Sequence, residues 1–75
     1  MQEIENCMIH IGLAIRQEMV SQRRSVAWLA EELCYDRSSV YKMLHRESMD
    51  SYTLFRISQL LSVNFFKYYT DELGF

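Results

Sequence analysis

Between residues 8 and 61 the apolar side chains fall into four runs in which they recur three and four positions apart, and no proline interrupts them. That spacing is the period of a helix face, because residues three and four apart share one side of a 3.6-residue turn. With two glycines and no proline in 75 residues, the composition favours helices joined by short turns over sheets. The expected fold is therefore all-α, a compact bundle of about five short helices. Met8, Ile11, Ile15 and Met19 mark the buried edge of a first helix over about residues 4–21. Leu29, Ala30 and Leu33 mark a second, with Ser25 as its N-cap, and Val40, Met43 and Leu44 a third that starts after Asp36 and fades near Arg46. The polar connection Glu47-Ser48-Met49-Asp50 ends in another N-cap candidate. A fourth helix, about 51–62, should bury Leu54, Ile57, Leu60 and Leu61, and Asn64 is placed to cap a last short helix containing Phe65, Phe66, Tyr68 and Tyr69.

At this length one domain over residues 1–75 is expected, small enough that its core must be efficient. No apolar run approaches the roughly 20 residues of a membrane span. The start Met-Gln-Glu-Ile-Glu lacks the basic opening of a signal peptide, so a cytoplasmic protein is expected. Cys7 and Cys34 are too few and too scattered for a disulfide framework, and the reduced state is the simpler reading. A metal site would start from Cys7-x-x-His10 and recruit Cys34 and His45. Zinc sites come in paired short spacings, and one half-pair leaves Cys7 and His10 as ordinary helix residues. There is no glycine-rich phosphate loop and no paired catalytic motif, so neither an enzymatic role nor a small-molecule cofactor is expected.

Residues 25–46 carry the functional signal. They read as two short helices with a tight turn between them, and the second has two incompatible faces. Val40, Met43 and Leu44 form its apolar back, while Arg37, Ser38, Tyr41, Lys42 and His45 gather on the front, all of them hydrogen-bond donors. An apolar back with a front of donors is what insertion of a helix into the major groove of DNA requires. Arg37, on the first turn, is the candidate for a bidentate contact to guanine; Ser38, Tyr41 and Lys42 are the other candidate base contacts. Arg23, Arg24, Ser39, His45 and Arg46 are the candidate phosphate contacts. The formal charge of −2 runs against a generic nucleic-acid binder, but residues 37–46 contain Arg37, Lys42 and Arg46 and no acid. Acids collect instead at Glu3, Glu5, Glu18, Glu31, Glu32, Asp71 and Glu72, so a basic stripe lies on an acidic body.

The run Leu29-Ala30-x-x-Leu33, followed seven residues later by Val40 and then Met43, resembles the helix-turn-helix of the lambda-repressor-like, Xre-type DNA-binding domains. Ile11-Gly12-x-x-Ile15-Arg16 resembles the opening helix of that family, and Leu54-x-x-Ile57-x-x-x-Leu61-Ser62-Val63-Asn64 its fourth helix and the start of a fifth. The resemblance covers roughly residues 8–73 and implies a helix-turn-helix domain that binds double-stranded DNA and regulates transcription. It also implies a homodimer joined near the final helix.

Three positions depart from the family. Its turn usually carries a glycine in the left-handed conformation; here the residue is Cys34, so either the turn is built differently or it carries local strain. A phosphate-touching glutamine commonly opens the leading helix, where this chain has Val26, and Trp28 stands where a charged residue is usual. Trp28 reads as either semi-buried core or contact surface. The aromatic group Phe65, Phe66, Tyr68, Tyr69 and Phe75 reads as either core filling or a dimer interface. The competing functional class is a protein-interaction module of the same fold, used for dimerisation or for an antitoxin-like partner contact, with DNA binding weak or lost. The negative charge, Val26 and Cys34 favour that alternative.

Overall fold

The computed structural model describes residues 9–75, and among them it is all-helical. The helices are α1 (Ile11–Gln22), α2 (Val26–Leu33), α3 (Arg37–Leu44), α4 (Ser51–Leu61) and α5 (Lys67–Leu73). Glu3, Glu5, Cys7 and Met8 lie outside the described residues.

The apolar periodicity becomes the core almost position for position. Ile11, Ile15 and Met19 from α1, Leu29, Ala30 and Leu33 from α2, Val40 and Leu44 from α3, and Leu54, Ile57 and Leu61 from α4 are all buried. Two expected core residues, Met43 and Leu60, are only partly buried at its edge. Phe65 is fully buried, which overturns its assignment to a subunit interface and makes it one of the largest core side chains. It closes the core from a loop position. Asn64 accepts the Phe66 N–H on its side chain and the Lys67 N–H on its backbone carbonyl, so Phe65 and Phe66 form a turn and helical geometry begins only at Lys67.

α1 starts at Ile11, later than the periodicity suggests. His10 has extended backbone and its Nδ1 accepts the Leu13 N–H at 3.0 Å, so it is the N-cap and not a helix residue. The next two donors of the first turn leave α1 altogether: Ile11 N–H bonds to the Glu47 carbonyl at 2.9 Å and Gly12 N–H to the Arg46 carbonyl at 3.1 Å. With its orphan donors satisfied across the fold, the helix has no need of a preceding turn. Gly12 is buried in this junction. A Cβ there would collide with the Leu44 carbonyl and come within 2.6 Å of the Arg46 carbonyl.

The carboxyl ends of three helices are tied down by side chains of their neighbours. Arg16 of α1 donates from Nε to the Leu44 carbonyl at the end of α3, at 3.0 Å. Arg56 of α4 reaches the Glu32 and Leu33 carbonyls at the end of α2. Gln22 of α1 donates from Nε2 to the Leu61 carbonyl at the end of α4, at 2.8 Å, and also to Glu18. These carbonyls have no partner within their own helices, and a cation at a helix carboxyl end also complements the helix dipole.

α1, α2 and α4 then stop in the same way. Arg23, Cys34 and Ser62 have φ of 59°, 61° and 58°. The following amides, of Arg24, Tyr35 and Val63, bond back to the carbonyls of Met19, Ala30 and Ser58. Cys34 thus takes the left-handed conformation that glycine adopts most cheaply, and a side chain there costs roughly 1 kcal/mol. Ser25 and Asp50 cap α2 and α4 with side-chain bonds to the Trp28 and Thr53 N–H groups. The Thr53 amide, helped by its hydroxyl, holds the Asp50 carboxyl below its ordinary pKa. Asp36 has the extended backbone of an N-cap but makes no side-chain cap bond, so its carboxylate stays open to solvent.

Candidate nucleic-acid interface

α2 packs on α3, and α3 packs on α1. Val40 and Leu44 hold the back of α3 in the core, Arg16 locks its carboxyl end, and the Gly12 amide holds the Arg46 carbonyl just beyond it. The front is left bare. Arg37, Ser38, Ser39, Tyr41 and Lys42 are all exposed, and no side-chain hydrogen bond or ion pair within the described residues engages any of them. Five polar side chains with idle donors therefore project from one short, rigidly seated helix. Sequence patterning places this face correctly because an eight-residue helix with two buried positions has only one orientation available to it.

His45 ends α3, and its ring is partly committed. Nδ1 lies 2.8 Å from the Tyr41 carbonyl, and since a carbonyl only accepts, Nδ1 carries the proton. Nε2 is the nitrogen left for an outside partner. Arg46 follows, exposed and without a side-chain partner, at the junction with α1.

Arg23 and Arg24 sit at the corner between α1 and α2, both exposed. The Arg24 guanidinium lies over the Trp28 ring, 4.4 Å from its centroid, a cation–π contact that orients the arginine and shields one face of the indole. Trp28 is half-buried, between the two readings its sequence position allows. One groove is lined both by residues of this corner, Ser25 and Trp28, and by Arg37 of α3, and Glu31 and Asp36 line it as well. Val26, at the first turn of α2, has no side-chain donor with which to hold a phosphate.

The aromatic residues assigned to a dimer contact do not form one patch. Phe65 belongs to the core. Phe66 lines a groove at the α4–α5 corner with Phe55 and Val63, whereas Tyr68 faces a different groove beside α1. Tyr69 is half-buried and Phe75 is almost fully exposed. Sequence reasoning missed Phe55. Its signal was the spacing Tyr52–Phe55, three apart and off the buried face of α4, and the two rings lie 6.5 Å apart. It also missed the structural duties of Arg16 and Arg56, which remove two of the chain's cations from the pool free to meet an anion.

Among the described residues no three metal-ligating side chains converge, and no helix is long and apolar enough to cross a membrane. No known protein family, curated protein or solved structure matches the chain.

Proposed function

We propose that α2, the Cys34 turn and α3 act as a helix-turn-helix of the lambda-repressor-like kind, that α3 enters the major groove of double-stranded DNA, and that the protein regulates transcription. The observation that carries this reading is the idle donor face of α3 on a helix fixed at its back and at its carboxyl end. Holding a reading helix rigid matters because a bidentate contact to a base edge is sensitive to small displacements. Arg37 reads a guanine edge from the first turn, with Ser38, Tyr41 and Lys42 beside it. Ser39, His45 Nε2, Arg46 and the Arg23–Arg24 corner meet phosphates.

One α3 of eight residues spans about 12 Å and reads only a few base pairs. A body of net charge −2 adds little non-specific attraction. Two copies would double the contacts and place two reading helices about 34 Å apart, one turn of DNA. The α4–α5 groove suits such a two-fold contact: Phe55, Val63 and Phe66 supply apolar surface, and Ser58, Gln59, Ser62 and Asn64 around them carry no charge.

The test is a salt series of binding to mixed duplex DNA, followed by selection of bound sites from random duplexes. Affinity that falls steeply with salt, together with an inverted-repeat site, supports the reading. Arg37→Ala should cost about 1–3 kcal/mol and relax preference at one position, while Arg46→Ala should weaken all sequences alike. Binding that ignores salt, or an unchanged site preference in Arg37→Ala, would return the chain to the protein-interaction alternative.

A further inference from the structure

The side chains that cap α1, α2 and α4 are spent within the fold: His10, Ser25 and Asp50 each accept an amide of the helix they open. Asp36 opens α3 with the same extended backbone, yet its carboxylate caps nothing. It is exposed, and no hydrogen bond or ion pair among the described residues engages that side chain. It lines the same groove as Arg37. Ten residues without an acid follow it, so one acceptor-only group stands at the leading edge of a face of donors.

A carboxylate in that place narrows what the face can meet. Phosphates repel it. In the major groove guanine offers N7 and O6 and thymine offers O4, all of them acceptors, so neither base gives a carboxylate a partner. The donors there are cytosine N4 and adenine N6, and adenine carries the acceptor N7 beside its N6, which opposes a second acceptor. Cytosine remains. We propose that Asp36 is a specificity-determining residue: with α3 in the major groove, the reading on which this assignment rests, its carboxylate accepts from cytosine N4 on the base pair next to the guanine that Arg37 reads. One residue along the chain moves the Cα atom by about 3.8 Å, close to the rise of about 3.4 Å between base pairs, so consecutive residues suit consecutive pairs. Arg37 and Asp36 then divide a two-pair step between them, a double donor on guanine and an acceptor on cytosine.

The experiment selects bound sites from random duplexes with the 75-residue chain and with Asp36→Ala, Asp36→Asn and Glu31→Gln, each checked by circular dichroism. The parent should select cytosine beside the guanine that Arg37→Ala relaxes. Asp36→Ala should lose that cytosine preference by about tenfold and keep the guanine. Asp36→Asn should change it to adenine, whose N6 and N7 an amide pairs together. Glu31→Gln, a charge removed from the same groove, should change no base preference. A parent indifferent to the neighbouring base, or Asp36 variants that raise affinity for all sequences alike, would overturn the assignment. Relaxation of the guanine position in Asp36→Ala would also overturn it, by making Asp36 a support for Arg37. A selected site unaltered at this pair in both Asp36 variants removes this assignment alone, whereas a parent without salt-dependent binding removes the DNA reading and the assignment together.

Discussion

Replacing Gly12 with alanine sets two physical effects against each other with opposite signs. In an ordinary helix the change should stabilise by roughly 0.5–1 kcal/mol, because glycine loses more backbone entropy on folding. Here the new methyl group would collide with the Leu44 carbonyl and sit 2.6 Å from the Arg46 carbonyl, both of them backbone atoms. Relief requires α1 and the end of α3 to separate. That separation strains the bonds that join them: Gly12 N–H to Arg46, Ile11 N–H to Glu47, and Arg16 Nε to Leu44. At about 0.5–1.5 kcal/mol each, loss of two or three outweighs the propensity gain, leaving a net destabilisation of about 1–3 kcal/mol. For a domain of this size that lowers the Tm by about 5–20 °C. Urea and thermal unfolding followed by circular dichroism measure it directly. A Gly12→Ala protein as stable as the parent, or more so, would show that the junction between α1 and α3 is looser than described and that α3 is not held from this side.

Cys34→Gly should raise stability or leave it unchanged, whereas Cys34→Val should lose about 1–2 kcal/mol, since a β-branched residue tolerates a φ of 61° least; a clear loss in the glycine variant by urea unfolding would contradict the strain. Phe65→Ala should cost about 3–5 kcal/mol as a fully buried ring is removed, while Phe66→Ala should cost well under half of that and reduce self-association in sedimentation. Similar losses for both would contradict the division between core and surface. Because the Thr53 amide and then its hydroxyl hold the Asp50 carboxyl below its ordinary pKa, the stability it contributes is fully present above that ordinary value and is lost as the pH falls through it and below. Asp50→Asn should therefore show a weaker loss of stability with acidification than the parent, and identical acid profiles would remove the cap from the account.

Much of the α2–α3 unit is legible in the linear chain because local rules decide it. The three-and-four spacing of Leu29, Ala30, Leu33, Val40 and Leu44 fixes which face of each helix goes inward, and what remains of α3 must be its donor front. Ser25 and Asp50 cap the helices that follow them, and Cys34 is left-handed because a turn this short demands it, glycine or not. Less of the aromatic group after α4 is legible: neighbouring Phe65 and Phe66 have the same chemistry, and only the turn made by Asn64 sends one into the core and leaves the other at its edge.

What the sequence alone determined is therefore the class of fold and the faces of its helices, since periodicity and capping act within about one turn of the chain. The tertiary structure decided where α1 begins, why residue 12 is glycine, and which charged groups are free to act. Arg16 and Gln22 close on carbonyls 28 and 39 residues away, and Arg56 on carbonyls 23 and 24 residues away. No local rule reaches that far. Which arginine becomes a cap and which stays idle for a partner depends on which helix ends the packed core brings together.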